Sequence, residues 1–146
     1  MDYKISDNFK RNHFSCKCGK CNEAFKISLT LVGIIEHLRF KFNNRIHINR
    51  AYICGEESQF LFGNSKDYHH LGKALDFSIE NTDIARCFEE VESMPEITGI
   101  GFVPQDNLIH IDIRDKEREI WLEERKEKIP FTPDKRKQYG INSVQQ

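Results

Sequence analysis

The chain has 146 residues, of which 31% are charged and 38% hydrophobic, and a formal net charge of -1. That length suits one domain with a core of its own and no need of cross-links. The near-zero charge excludes a general attraction to nucleic acid or an anionic membrane, and no apolar run approaches the ~20 residues of a membrane span. The opening Met1-Asp2-Tyr3-Lys4 lacks the charged and apolar regions of a secretory leader, so the chain as given is expected to be cytoplasmic as synthesised.

Five cysteines is an odd number, which favours reduced thiols or metal ligands over a disulfide framework. Cys16, Cys18 and Cys21 form C-x-C-x-x-C around Gly19, a knuckle-like turn. Cys54 would supply the fourth thiolate of a tetrahedral structural zinc site; free or packed thiols are the other reading. Ser28 is a helix cap, and Leu31, Ile35, Leu38 and Phe42 mark the apolar face of a helix over 28–43. Gly33 weakens it and Asn43-Asn44 ends it. Ile46-His47-Ile48-Asn49 alternates as a strand, with His47 a surface partner. Residues 53–68, with Gly55, Gly63, Asn64 and Ser65, read as a long loop.

The run Ala74–Ile79 alternates again: Leu75, Phe77 and Ile79 point one way, and Ala74, Asp76 and Ser78 the other. Gly72 argues against one helix carrying both His69 and Asp76, so the histidines arrive from a turn. Asn81-Thr82-Asp83 caps a helix over 82–92 that buries Ile84, Cys87, Phe88 and Val91 and stops before Pro95. Residues 98–103 and 108–114 are expected as an antiparallel hairpin joined at Pro104–Asn107. Residues 115–128 are expected as a charged surface helix anchored by Ile120 and Trp121. This places a single domain at 1–128 and a tail at 129–146, with Lys135-Arg136-Lys137 a solvated patch. The fold class is α+β: a small, mostly antiparallel sheet with helices on one face.

In Leu108-Ile109-His110-Ile111-Asp112-Ile113-Arg114 the isoleucines take one face and His110, Asp112 and Arg114 the other. Two strands that each bury an aliphatic face and offer imidazole and carboxylate opposite can form a metal site. Two His and one Asp suit Zn²⁺ with one position open. Surface or hydrogen-bonded core histidines are the plainer alternative.

The order His69-x-x-Gly72-x-Ala74-x-Asp76, then His110-x-Asp112-x-Arg114, then Trp121, resembles the M15-type zinc peptidases. These are D-Ala-D-Ala carboxypeptidases and peptidoglycan endopeptidases that share a fold with the hedgehog signalling domain. Phe14–Cys21, the helix with Leu31 and Ile35, and Ile46–Tyr52 resemble the N-terminal half of a cysteine-containing branch of that family. The resemblance spans roughly residues 8–122. It implies His69, Asp76 and His110 as zinc ligands, with His70 the rival to His69, and a zinc site on the sheet face away from the helices. Asp112 then either accepts the second N–H of a ligand imidazole or lies near the attacking water. The family's usual base position is Asn107, which cannot accept a proton, so Asp106 is the expected base. The family's Arg after the tyrosine of Ala51-Tyr52 is Ile53 here. Arg50 and Tyr52 are therefore the candidate substrate-binding residues, although strand parity turns Arg50 opposite to position 53. Asp67 stands where relatives tend to have Ser.

The leading expectation is a zinc metallopeptidase acting on peptidoglycan stem peptides, endolysin-like and reaching the wall if it is a phage lysin. Asn107 and Ile53 favour the alternative, a non-catalytic zinc-binding module on a degenerate peptidase fold. A third reading, a zinc knuckle for nucleic acid, lacks a basic, aromatic-rich face. No nucleic-acid or membrane partner is expected.

Overall fold

Period-2 alternation with one apolar face builds most of the sheet, and 3.6-period faces build the two helices that cover it. The structure, a computed structural model, describes residues 2–64 and 67–142. Its elements are α1 (Arg11–Phe14), α2 (Leu29–Phe42), β1 (Ile46–Arg50), α3 (Gly55–Phe62), β2 (Ala74–Ile79), α4 (Ile84–Glu92), β3 (Gly99–Val103), a 3-10 turn (Pro104–Asp106), β4 (Leu108–Asp112), β5 (Glu119–Glu124), β6 (Glu127–Pro130) and α5 (Pro133–Gln138). The strands form one sheet in the order β1-β2-β4-β3-β5-β6. Every neighbouring pair is antiparallel except β3 and β5, which are parallel, so the architecture is α+β with a mixed sheet.

Leu75 and Phe77 of β2, Ile100 and Phe102 of β3, Ile109 and Ile111 of β4 and Leu122 of β5 lie on one face. There they join Leu31, Ile35 and Leu38 of α2 and Phe88 and Val91 of α4 in one buried cluster. Each such side chain contributes about 1.5–3 kcal/mol of transfer free energy. The expected helices are capped as their residues suggest. Ser28 accepts from the Thr30 amide, Asp83 accepts from the Ala85 amide, and Asn43 closes α2 in the left-handed region. The alternation that buries the aliphatic side chains turns Asp76, His110, Asp112, Trp121 and Glu123 toward the opposite face.

Gly72 makes the turn into β2. It sits at φ +73°, its carbonyl accepts the Ser28 amide at 2.8 Å, and a Cβ there would lie 2.9 Å from the Lys26 carbonyl oxygen. Gly72→Ala combines left-handed strain with a backbone clash. It is expected to cost about 1–3 kcal/mol in a urea melt, and a cost near zero would show that the turn relaxes freely.

Four expectations are corrected. Residues 115–128 are not a surface helix: 119–124 is β5 and 127–130 is β6, joined by Arg125 and Lys126 at φ 52° and 65°. Ile120 and Trp121 prefer a pleated surface, and β3 supplies it through the parallel pairing of Gly101 with Trp121. The segment expected as a tail packs on the core. Phe131 stacks on Phe102 and meets Phe88 edge-on, each at 5.3 Å, and Ile141 is buried. Arg136, expected in a solvated patch, is only 5% exposed and bonds Glu92 through both guanidinium nitrogens at 3.0 and 2.6 Å. The loop expected over 53–68 contains α3, capped by Cys54 and ended by Gly63 at φ 66°.

Candidate metal centre

Asp76 is central on the sheet. The register sets it opposite His110 on β4 and opposite Arg50 on β1. Arg50 reaches that face because the β1–β2 register shifts between Ile48 and Arg50, a bulge that re-aims the side chain against simple parity. His69 comes from the turn before Gly72. One ligand atom from each of His69, Asp76 and His110 lies within 4.8 Å of the other two.

Both imidazoles are oriented from behind. The Asp67 carboxylate accepts the His69 Nδ1–H at 2.8 Å and the His69 amide at 2.9 Å. This leaves His69 Nε2 aimed inward. Asp112 Oδ2 accepts the His110 Nε2–H at 2.7 Å, which aims Nδ1 at Asp76 Oδ1, also 2.7 Å away. Arg114 holds Asp112 by a two-pronged contact, Nε to Oδ1 at 2.8 Å and Nη2 to Oδ2 at 2.7 Å. Of the two roles open to Asp112, the geometry fits the orienting one. Ligand imidazoles whose outer N–H is pinned by carboxylate are the usual support of a metal site.

The sheet makes room for this network. Gly99 pairs with Asp112, and a Cβ on Gly99 would lie 2.2 Å from its carboxylate; a Cβ on Gly101 would lie 2.8 Å from the Trp121 indole. Trp121 in turn packs its ring 5.4 Å from that of His110.

The electrostatics fit a cation. Burial favours the neutral ring of His110, but its bonds to Asp112 and Asp76 outweigh burial and push its pKa up to about 9. His69 is displaced upward too: burial opposes it, and the charge of Asp76 prevails. Burial works against an ionised Asp76, yet the two histidines hold it well below the usual carboxylate range. His69 Nε2 is buried and makes no hydrogen bond, although Asp76 Oδ1 is 3.2 Å away. Two inward nitrogens around one carboxylate make a pocket that favours positive charge, and the donor set suits zinc.

The cluster lines an open cleft of about 560 Å³ together with Arg50, Asp106, Trp121, Glu123 and Lys128. Of the residues expected here, His69, Asp76, His110, Asp106 and Arg50 meet in the cleft, and Asp112 supports it. Tyr52 does not line it: its ring packs 5.6 Å from His70, and His70 Nδ1 is bonded to the Ile53 carbonyl at 3.0 Å. His70 is not among the residues that line the cleft or join the His–Asp–His group. Ile53 is buried, so it presents nothing to the cleft. His47 pairs with Glu80 at the surface, as expected. Sequence reasoning misses the orienting role of Asp67, although an Asp two residues before a ligand His is positioned to bond its amide. It also misses Glu123, which accepts from Trp121 Nε1 at 3.2 Å, and Lys128, 4.1 Å over the Trp121 ring. Cys16, Cys18, Cys21 and Cys54 meet at a second place, their sulfurs all within 4.8 Å of one another.

A carboxylate-supported His–Asp–His cluster on a sheet face, in an open cleft, is a group that could hold a metal ion and has the donor set of a metallohydrolase site. Residues 7–112 match the family model described as Peptidase M15, and the chain belongs to that family, one of metallopeptidases that are generally zinc-dependent. No curated protein and no solved structure matches the chain. No helix among the described residues is long and apolar enough to cross a membrane.

Proposed function

We propose that the protein is a zinc-dependent peptidase that hydrolyses peptide bonds of peptidoglycan stem peptides, as a D-Ala-D-Ala carboxypeptidase or endopeptidase of endolysin type. The observation that carries the reading is the convergence of His69, Asp76 and His110 at an open cleft in a chain of this family. These three residues would hold the ion, which supplies Lewis-acid polarisation of the scissile carbonyl and a lowered pKa for water. Asp67 and Asp112 keep the outer N–H of each imidazole engaged, so that the inward nitrogen offers its lone pair. Asp106, on the 3-10 turn at the rim, takes the proton of the attacking water at its carboxylate and returns it to the leaving amine. Arg50 binds a carboxylate of the stem peptide, in the role the family gives to the position occupied here by Ile53. Trp121 and Lys128 form the wall along which the peptide lies.

Asn107 occupies the left-handed position that closes the 3-10 turn, at φ 53°, and does not line the cleft. Turn geometry therefore accounts for the asparagine. Asp106→Asn is expected to lower kcat about 100-fold, whereas Asn107→Asp should leave it within about threefold, since no new carboxylate enters the cleft. A rise of more than tenfold in Asn107→Asp would instead support a degenerate site that lacks its base. The direct test is digestion of purified peptidoglycan by the zinc-loaded protein. Released stem-peptide fragments that vanish on chelation are expected, and intact muropeptides would favour the non-catalytic zinc module.

A further inference from the structure

The cysteine cluster is built from two separate stretches. Cys16, Cys18 and Cys21 lie in a tight loop where Gly19, Asn22 and Glu23 all adopt positive φ, and Cys54 is the cap of α3. The sulfur of Cys18 is 3.6 Å from that of Cys21 and 3.7 Å from that of Cys54. Four sulfurs at a Zn–S distance of about 2.3 Å on a regular tetrahedron stand about 3.8 Å apart. A disulfide would bring a pair to about 2.05 Å, and all four are free thiols. Both Cys18 separations match the tetrahedral edge, and all four sulfurs lie within 4.8 Å of one another.

Backbone amides point at the sulfurs. Cys54 N–H donates to Cys16 Sγ at 3.3 Å, Lys20 N–H to Cys18 Sγ at 3.3 Å, and Glu57 N–H to Cys54 Sγ at 3.5 Å. Amide donors stabilise thiolate over thiol. Cys87, the fifth cysteine, is buried in the core, and burial pushes its thiol up.

We propose that Cys16, Cys18, Cys21 and Cys54 bind a structural Zn²⁺ ion that ties the cysteine loop to the start of α3. The ion sets the position of a helix whose other residues reach the cleft. Ser58 of α3 is fully buried and its hydroxyl accepts the Asp67 amide at 3.3 Å, while Phe62 stacks parallel to His69 at 6.3 Å. Asp67 is the residue that orients His69. The cysteine site thus supports the first histidine of the cleft through one helix and one hydroxyl. It stands whether or not the cleft hydrolyses peptide.

The test uses the full chain carrying His110→Ala, which lacks a complete cleft site, and wild type beside it. Zinc-loaded His110→Ala is expected to retain about one equivalent of zinc. Its four cluster cysteines should resist iodoacetamide until a chelator is added, and then react at least about tenfold faster, as peptide mapping by mass spectrometry reads out. Wild type reloaded with Co²⁺ should show intense thiolate-to-metal charge-transfer absorption, which is lost in Cys54→Ser. Should His110→Ala not fold, the cobalt spectrum and the alkylation of wild type decide alone. Zinc-loaded wild type whose four thiols alkylate freely, or are found as disulfides, overturns the proposal. Protected thiols in a wild type that leaves peptidoglycan intact would uphold it and count only against the peptidase reading.

Discussion

His110→Ala should lose the cleft metal and reduce hydrolysis of stem peptides to background, while the fold survives. His110 is the residue on which the two halves of the site meet, bonded to Asp76 on one side and Asp112 on the other. Without it His69 and Asp76 offer two ligands, too few for a stable zinc site that keeps a position open. The side chain is 14% exposed and no part of the apolar cluster, so the core loses little. The measurement is zinc per chain by elemental analysis beside a muropeptide digest, with circular dichroism as the check on folding. A folded variant that keeps both cleft zinc and hydrolysis would move the active site elsewhere.

Asp112→Ala is expected to act on folding and on metal together. Asp112 is fully buried and Arg114 only 13% exposed, so truncation leaves a nearly buried guanidinium without its two-pronged acceptor. Breaking such a pair costs about 3–5 kcal/mol, and Glu119, 3.3 Å from Arg114, offsets part of that. His110 also loses the acceptor that selects its tautomer, which should weaken zinc about 10–100-fold. Denaturant melts with chelator isolate the folding effect, and a zinc-competition titration measures the other. Stability in chelator within about 1 kcal/mol of wild type would show that Arg114 finds water or Glu119 instead.

Much of this site is readable from residues alone because period-2 alternation assigns a face as well as an element. Leu75/Phe77 against Asp76, and Ile109/Ile111 against His110, settle which side chains share the polar face before any pairing is known. What escapes the sequence depends on partners distant in the chain. Glu119–Glu124 carries charges at spacings a helix would also accept, and it becomes a strand because β3 offers a parallel edge whose Gly101 leaves space for Trp121. Phe131, Tyr139 and Ile141 look like isolated apolar residues in a charged terminus until Phe88 and Phe102 are seen to receive the first. The helix at 55–62 leaves Phe60 and Phe62 largely exposed, so no buried stripe announces it. Arg50 illustrates the limit of parity: a single bulge reverses a side chain, and nothing in Ile46–Arg50 signals the bulge.

The hairpin of β5 and β6 lies wholly beyond residue 112, where the match to the family model ends, yet it contributes Trp121, Glu123 and Lys128 to the cleft. One wall of the cleft is therefore built from a stretch of chain separate from the one that carries the His–Asp–His cluster and Arg50. The seam between them is the parallel contact of β3 with β5, whose backbone hydrogen bonds do not depend on which side chains β5 displays. Exchange of the outward residues of this hairpin alters that wall while the histidines and their supporting carboxylates stay as they are.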